Sequence, residues 1–416
     1  MKEKLKIGIL SLGCPRNLVD SENILGRLSL KGYSVSLMEQ ADVALVNTCA
    51  FIDESKRESI DAILDLAALK KEGKLKKIIV YGCLAQRYGA SLKKQLPEVD
   101  AFVGRISLNH ELKRFPITPK HFVYLKICEG CINNCSFCVI PKIKGKFTSL
   151  EEETILEKVK GFNRDKVPEI NIIGQDITGY GLDQSGGFSL VKLLTKITKR
   201  IGNVGWLRLL YLNPERVSDD LLKLIRDEAK ICKYIDLPIQ HINSRILKLM
   251  RRGNSKKEIT RLIEKIRKVV PGVALRTSII VGFPSETDTE FKELLSFLRC
   301  VKFERLGAFV YSREEGTPAN DFPGQVPEKV KLQRFKAVML AQQEVSRAVN
   351  RDYLHKTIEV LIEEKSDGCF LGRSQYDAPE VDGQVFVKSA RKLTPGDFLK
   401  VKITDTLEYD LVGEPL

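Results

Sequence analysis

The chain has 416 residues, of which 43% are hydrophobic and 29% are charged, and its net charge is +14. This composition predicts a soluble protein of two or three domains, and no apolar run approaches the length of a membrane span. The first residues, MKEKLKIGIL, lead directly into a strand pattern without the apolar region or cleavage site of a signal peptide. We therefore expect a cytoplasmic protein, in which ten reduced cysteines favour metal binding over disulfides.

The first domain, expected at residues 1–117, alternates strand and helix patterns. Three apolar runs, Lys6–Leu12, Ala41–Thr48 and Lys77–Gly82, are separated by amphipathic helix patterns. Continuous apolar strands that alternate with helices are typical of parallel sheets covered on both faces. The pattern predicts an open parallel α/β sheet.

One cysteine follows each of these three strands. Cys14, Cys49 and Cys83 all stand just beyond the carboxyl end of their strand. Because ligands of open parallel sheets bind along that edge, the three thiols are expected to converge. The alternative is three unrelated buried thiols, since free cysteine is often buried. The repeated position favours a metal cluster held by three thiolates.

A second set of three cysteines lies in the stretch YLKICEGCINNCSFCVIPKIKG, Tyr124–Gly145. Cys131, Cys135 and Cys138 have the spacing C-x3-C-x2-C. An iron–sulfur cubane takes four ligands, so three thiolates leave one iron open for chemistry. The alternative is a structural zinc site, but such sites usually contain two C-x2-C pairs or a Cys/His set.

The middle domain, expected at residues 118–350, contains six strand patterns separated by helix patterns. Six β/α units predict an incomplete barrel, in which functional residues lie at the carboxyl ends of the strands. The strand patterns are Phe122–Ile127, Glu169–Ile173, Trp206–Tyr211, Tyr234–Pro238, Ala274–Val281 and Leu306–Val310.

The third domain, expected at residues 351–416, contains five short strand patterns and predicts a small all-β barrel. Residues 352–416 contain 8 Lys and Arg against 13 Asp and Glu, a net charge of −5, which leaves +19 on residues 1–351. An acidic barrel repels phosphates but complements a basic protein.

These motifs resemble a known family. The C-x3-C-x2-C loop ahead of a partial barrel is similar to the radical S-adenosylmethionine (SAM) superfamily. The stretches SLGCPRNLVDSE, VNTCAFI and YGCLAQRY are similar to the N-terminal domain of methylthiotransferases, and the last domain is similar to their TRAM domain. The stretches RLLYLNP, YLKICEGC and GRSQYDAPEVDG resemble the branch of that family that modifies a ribosomal protein.

The resemblance implies two [4Fe-4S] clusters. One would be bound by Cys131, Cys135 and Cys138 and would cleave SAM to a radical. The other would be bound by the remaining triad, Cys14, Cys49 and Cys83, and would present sulfur from sulfide or a persulfide. A second SAM would then donate the methyl group, and a flavodoxin or ferredoxin-type protein would supply electrons.

The resemblance also suggests SAM contacts at the ends of the barrel strands. Each of these residues has an alternative role in ordinary loop capping. Cys128 departs from the family pattern and is expected to be a bystander, while Arg276 within a strand is expected to pair with a carboxylate. The expected SAM contacts are Gly174, Gln175, Asp176, Gln240, Gly282 and Glu286.

The expected substrate is an aspartate of the twelfth protein of the small ribosomal subunit, a basic protein, with 3-methylthioaspartate as the product. The sister branch, which methylthiolates adenosine in tRNA, is the alternative, and the basic charge of residues 1–351 favours it. Two other classes, a two-cluster electron carrier and a zinc-containing RNA-binding protein, would not turn over SAM. A monomer without a membrane partner is expected.

Overall fold

The computed structural model describes residues 5–106, 113–187 and 189–416, and it contains the three units expected from the sequence. No helix within these ranges is long and apolar enough to cross a membrane. The domain limits at residues 117 and 350 stay predictions. The last long helix ends at Arg351, close to the second of them.

The N-terminal unit is a five-stranded, all-parallel sheet in the order β2-β1-β3-β4-β5. The three expected strands are confirmed within two residues. The two edge strands were not predicted, because two or three residues carry no periodicity. The strands are β1 (Lys6–Ser11), β2 (Ser34–Val35), β3 (Val43–Thr48), β4 (Lys77–Gly82) and β5 (Ala101–Val103), and the helices are α1 (Pro15–Leu30), α2 (Asp53–Lys71) and α3 (Cys83–Gln95).

The middle unit is a six-stranded parallel arc, built from two three-stranded sheets that a bridge between Leu207 and Ile231 connects. All six expected strands are confirmed. The strands of the arc are β6 (Phe122–Lys126), β9 (Glu169–Ile173), β10 (Trp206–Leu209), β11 (Tyr234–Asp236), β12 (Ala274–Val281) and β13 (Arg305–Val310). Two further short strands, β7 (Cys128–Glu129) and β8 (Thr148–Ser149), form a separate antiparallel pair.

Helices cover the outside of this arc, so that β6, β9 and β10 are buried at every residue. Two of the helices begin with a reciprocal capping box, Ser255 with Glu258 and Thr287 with Glu290, which fixes where each helix starts. The helices are α4 (Ile140–Lys144), α5 (Glu152–Arg164), α6 (Leu190–Thr198), α7 (Asp219–Asp227), α8 (Ser244–Leu249), α9 (Lys256–Val269), α10 (Asp288–Val301) and α11 (Glu328–Arg351). Short 3₁₀ turns occur at Met38–Gln40, Ile177–Gly179, Pro214–Arg216 and Pro318–Asp321.

The C-terminal unit is a closed five-stranded barrel in the order β14-β15-β16-β18-β17, as expected. Its core is formed by Val360, Ile362, Val385, Val401 and Ile403. The strands are β14 (Thr357–Ser366), β15 (Cys369–Ser374), β16 (Val385–Val387), β17 (Phe398–Thr406) and β18 (Leu411–Pro415).

This small barrel closes the amino end of the large one. The first residues of the large barrel's strands contact it: the Trp206 ring lies 4.9 Å from the Phe398 ring, and the Tyr234 hydroxyl donates to Asp382 at 2.6 Å. Leu361 and Ala378 pack in the same apolar cluster. The N-terminal unit packs against the carboxyl end, where barrels of this type carry their functional residues.

Two of the three carboxylates in the acidic stretch GRSQYDAPEVDG face the large barrel, whereas Glu380 is exposed, and this corrects the charge-based prediction in part. Asp377 pairs with Arg305 at 2.5 Å, and Asp382 pairs with Arg276 at 3.3 Å. Arg276 also pairs with Asp236 at 3.3 Å, which confirms its expected carboxylate partnership. These two carboxylates therefore neutralise arginines of the large barrel and are not free to attract a basic partner.

Candidate metal centres

The cysteines of the N-terminal unit stand at one edge of its sheet. Cys14 lies between β1 and α1, Cys49 follows β3 directly, and Cys83 is the first residue of α3 after β4. Because β1, β3 and β4 are adjacent and parallel, all three thiols lie at the same end of the sheet. A side chain at Gly13, whose φ is +87°, would lie 2.7 Å from Cβ of Cys49, so only glycine permits this approach.

Asn17, in the first turn of α1, ties the three strand ends together. Its Nδ2 donates to the carbonyl oxygens of Leu12 at 3.1 Å and Thr48 at 3.3 Å, and its Oδ1 lies 3.8 Å from Sγ of Cys83. Asn17 was not among the functional residues predicted from the sequence. The only signal was an asparagine three residues after Cys14, a spacing that puts it one helical turn away.

The environment of Cys14 differs from that of its two neighbours. Burial alone would raise the pKa of Cys14, but the cations of Arg16 and Lys144 outweigh burial and hold that pKa below its usual value. Burial, reinforced by Cys14, raises the pKa of Cys49, and burial raises the pKa of Cys83 to about 12. A metal ligand must be a thiolate, so Cys14 is the thiol of this triad most ready to ionise without a metal.

The cysteines of the middle unit lie on the loop that follows β6 and β7. Cys135 is buried, and Cys131 and Cys138 are partly buried. The amide of Asn133 lies 3.5 Å from Sγ of Cys131, and Nη1 of Arg252 lies 3.7 Å from Sγ of Cys135. Burial raises the pKa of Cys138 to about 12. Cationic and amide donors around buried thiols stabilise their thiolate form, as ligation requires.

The stretch Gly174–Asp176, which follows β9, lies beside this loop. The carboxylate of Asp176 accepts from Nδ2 of Asn133 at 2.7 Å and pairs with Arg216. Both polar atoms of the Gln175 amide are buried without a hydrogen-bond partner among the described residues. An unsatisfied buried amide is costly unless something binds it, so Gln175 suits a polar ligand. Asp176 holds the loop in place through these contacts, and roles for Gly174, Gln175 and Asp176 in SAM binding stay predictions.

The other expected SAM contacts stand at the ends of β11 and β12. The main chain of Gln240, with φ +69°, continues the ladder of β12, accepting from Ile280 N at 2.8 Å. The carboxylate of Glu286 accepts from Gly282 N at 2.5 Å and Phe283 N at 3.0 Å, so it closes its own turn. Its other oxygen has no hydrogen bond among the described residues. Roles for Gln240, Gly282 and Glu286 in SAM binding stay predictions.

Cys128 is fully buried against Gly174, and burial raises its pKa above the usual range. Its Sγ lies 3.7 Å from the carbonyl oxygen of Asp176, and a Cβ added at Gly174 would come within 2.3 Å of that sulfur. These contacts give Cys128 a packing role next to the Cys131, Cys135 and Cys138 triad.

The chemistry of the donor sets fits iron–sulfur clusters. In the described ranges, no three His, Cys, Asp or Glu side chains converge on a position for a single metal ion. A zinc ion draws all its ligands to one atom, whereas a cubane distributes its thiolates over different irons. The arrangement therefore gives no support to the zinc alternative and is compatible with a cluster at each triad.

Arg16 connects the two triads. Its Nε donates to Sγ of Cys14 at 3.3 Å, and its Nη1 donates to the carbonyl oxygen of Gly174 at 2.9 Å. The same cation favours the thiolate form of Cys138. One guanidinium of the N-terminal unit thus lies between Cys14 and the loop after β9, and that loop lies beside the loop of the second triad.

Comparison with known proteins agrees with this architecture. The profile of uncharacterized protein family UPF0004 matches residues 6–104, the radical SAM superfamily matches residues 125–298, and the TRAM domain matches residues 356–416. The ribosomal protein uS12 methylthiotransferase RimO of Clostridioides difficile is 46% identical, with 99% of each chain covered. The chain belongs to the RimO family of radical SAM methylthiotransferases. The RimO of Geotalea uraniireducens is also 46% identical, over 99% of this chain and 98% of its own length.

Among solved structures, the fold is shared well beyond the RimO family. The radical SAM methyltransferase TsrM from Kitasatospora setae, bound to tryptophan and a SAM analogue, aligns with a TM-score of 0.52 at 11% identity, covering 74% of this chain and 73% of that one. At this identity the likeness concerns the fold alone. It supports the assignment of the six-stranded arc as a radical SAM barrel.

Proposed function

We propose that this protein inserts sulfur and a methyl group at the β-carbon of an aspartate in ribosomal protein uS12, giving 3-methylthioaspartate. The observation that carries the proposal is the end-to-end similarity to proteins named for uS12 methylthiotransfer. The contacts of Arg16 with Cys14 and with the β9 loop beside the second triad support it, because the reaction needs a hydrogen abstractor and a sulfur donor at one site.

Cys131, Cys135 and Cys138 would hold one [4Fe-4S] cluster, and Cys14, Cys49 and Cys83 would hold the second. When bound, the first cluster supplies the electron that cleaves SAM to a hydrogen-abstracting radical, and the second supplies the sulfur. Asn133 and Arg252 lie against the thiols of the first triad, and Arg16 lies against Cys14 of the second. Gln175 offers its unpaired amide to SAM.

Ion pairs across the interface between the first two units hold together the domains that carry the two triads. Glu314, in the loop after β13, accepts from Arg87 at 2.9 Å and Lys56 at 3.1 Å of the N-terminal unit. On the other side of the barrel mouth, Lys126 pairs with Asp20 and donates to Glu129 at 2.6 Å. A reactive carbon radical survives only where solvent is excluded, and these ion pairs hold the N-terminal unit over the mouth.

The reaction requires partners that the chain does not provide. A flavodoxin or ferredoxin-type reductant would deliver electrons, sulfide or a persulfide would replenish sulfur, and SAM would serve both as radical source and methyl donor. We propose that the protein acts on uS12 as a monomer.

The decisive experiment is mass spectrometry of uS12 and of tRNA from cells that lack the gene. We expect the target aspartate of uS12 to lose the mass of one methylthio group, while tRNA adenosines keep theirs. Complementation with the wild-type gene should restore the uS12 modification, and a Cys131→Ala gene should not. Loss of the modification from tRNA alone would assign the chain to the sister activity, which the basic charge of residues 1–351 favours.

A further inference from the structure

Arg16 lies between Cys14 of one triad and the β9 loop beside the other, and it is held there from three directions. Cys14 and the carbonyl of Gly174 accept hydrogen bonds from Nε and Nη1, and the guanidinium lies 4.4 Å above the ring of Tyr211. These contacts come from the N-terminal sheet edge, the β9 loop and the end of β10. A planar cation fixed on both an edge and a face has little freedom to move.

Tyr211 is itself in an unusual conformation. Its φ is +66°, a region that residues with side chains rarely adopt, and its amide donates to the carboxylate of Asp236 at 2.9 Å. Strained residues of this kind concentrate at functional sites, where the surrounding structure maintains them. In this conformation the Tyr211 ring lies under the guanidinium of Arg16.

The bonding capacity of Arg16 is not used up. A guanidinium has five N–H donors, and among the described residues Arg16 uses one on Nε and one on Nη1. Neither contact is with a carboxylate. The neighbouring cations are committed: Arg216 pairs with Asp176, Lys144 pairs with Asp20 at 3.4 Å, and Arg276 pairs with Asp236 at 3.3 Å.

We propose that Arg16 binds the side-chain carboxylate of the target aspartate and thereby places its β-carbon between the two triads. The inference rests on the proposed function, because it assigns a residue to the substrate of that reaction. The β-carbon is bonded directly to the carboxylate carbon, so an anchor on the carboxylate positions the reacting carbon one bond away. An arginine fork is the preferred partner of a carboxylate.

This contact would make Arg16 a determinant of substrate class. An adenosine base has no carboxylate, so it can form neither an ion pair nor the two parallel hydrogen bonds of a fork with this guanidinium. Leaving the remaining N–H donors of Arg16 without acceptors in a partly buried position would oppose such a substrate. The same guanidinium that bridges the triads thus selects an acidic side chain.

The test is a double-mutant cycle on binding. The dissociation constant of fluorescently labelled uS12 is measured by anisotropy on the reconstituted enzyme, for wild type and Arg16→Gln. The labelled protein carries either its target aspartate or an asparagine there. We expect Arg16→Gln to weaken binding of aspartate-containing uS12 by about tenfold or more, and of the asparagine form by less than about twofold. Arg57→Gln, which removes an exposed arginine of the same unit, should change neither.

Equal weakening of both uS12 forms, or no weakening, would overturn the role assigned to Arg16. A wild-type enzyme that neither binds nor modifies uS12 would instead overturn the proposed function, so the two failures are distinguishable. Iron content is measured for each variant, because Arg16 also contacts Cys14. Should Arg16→Gln not fold, Arg16→Lys is used: it keeps the charge but loses the fork, and it should retain only part of the preference for aspartate.

Discussion

The carboxylate of Glu169, the first residue of β9, pairs with the guanidinium of Arg373 on β15 of the small barrel. Arg208 on β10 donates to the same carboxylate at 2.7 Å, and all three side chains are almost fully buried. Burial alone would raise the pKa of Glu169, but Arg373 and Arg208 outweigh burial and hold that pKa below its usual value. A buried ion-pair cluster therefore anchors the C-terminal barrel to the amino end of the radical SAM barrel.

Glu169→Gln should destabilise the protein strongly. The substitution leaves the buried Arg208 without an anion and leaves Arg373 with Glu363 alone, at 2.8 Å. Breaking a buried pair in this way costs about 3–5 kcal/mol. We expect a loss of about 3 kcal/mol or more in the free energy of unfolding, measured by urea titration. The control is Glu408→Gln, which breaks the exposed pair with Arg347 between α11 and the same small barrel. That change should cost less than about 1 kcal/mol. Equal losses for the two variants would contradict the stabilising role of the buried Glu169 cluster.

The two triads should load iron independently. After anaerobic reconstitution, wild type should bind about eight irons, and replacement of Cys49 and Cys83 by alanine, or of Cys131 and Cys135, should leave about four. Only the second double variant should lose SAM cleavage, measured as 5′-deoxyadenosine. Cys128→Ala is the control, because Cys128 packs against Gly174 and should not affect the iron count. Four irons in wild type, or a deficit in the control, would be inconsistent with the assignment.

His241 should make stability depend on pH. It is fully buried, Nδ1 accepts from Asn243 N at 3.0 Å, and Nε2 has no partner among the described residues. Burial lowers its pKa to about 4 from the usual 6.5. In the unfolded chain the imidazole becomes protonated as the pH falls through about 6.5, whereas in the folded protein it stays neutral until about pH 4. The stabilising contribution is therefore complete at neutral pH and is lost as the pH falls.

Between about pH 7.5 and about pH 5, this effect should reduce the free energy of unfolding by about 2 kcal/mol. His241→Asn, which keeps an acceptor for the Asn243 amide but cannot titrate, should remove that part of the slope. The control is His355→Asn, at an exposed position. If the slope were the same in wild type and His241→Asn, the buried imidazole would not be the titrating group.

The sequence predicted the parts of the fold that rest on local patterns. The apolar runs that became β3 and β9 are buried at every residue, so their hydrophobicity was visible without knowledge of the neighbours. The alignment of Cys14, Cys49 and Cys83 was predictable for the same reason. In a parallel sheet, position after a strand fixes position in space.

The contacts that depend on distant partners could not be predicted in this way. The acidic tail suggested a binding face for a basic protein, but Asp377 and Asp382 lie opposite Arg305 and Arg276, about 70 to 110 residues away in sequence. Arg16 was likewise one more basic residue of a basic chain. Its position between Cys14 and Gly174 depends on how the first two domains pack against each other. The hydrophobic pattern of a sequence contains no information about such a contact.

The fit between Gly174 and Cys128 leads to a prediction of rescue. A methyl group added at Gly174 would lie 2.3 Å from Sγ of Cys128, inside van der Waals contact, while its next neighbour, Cγ2 of Ile177, is 3.3 Å away. Gly174→Ala should therefore displace the loop that carries Gln175 and the carbonyl that holds Arg16. We expect a lower free energy of unfolding, by about 1–3 kcal/mol, and weaker SAM binding by calorimetry.

Removing the sulfur should relieve the clash. Cys128→Ala alone leaves a small cavity and should be mildly destabilising, but combined with Gly174→Ala it should recover most of the lost SAM affinity, so the two changes are coupled. Gly161→Ala is the matched control, because a side chain there, on α5, meets no atom within 4 Å. That variant should be neutral or slightly stabilising, since alanine favours helix. If the double variant were no better than Gly174→Ala, tight packing of Cys128 would not be what keeps residue 174 a glycine.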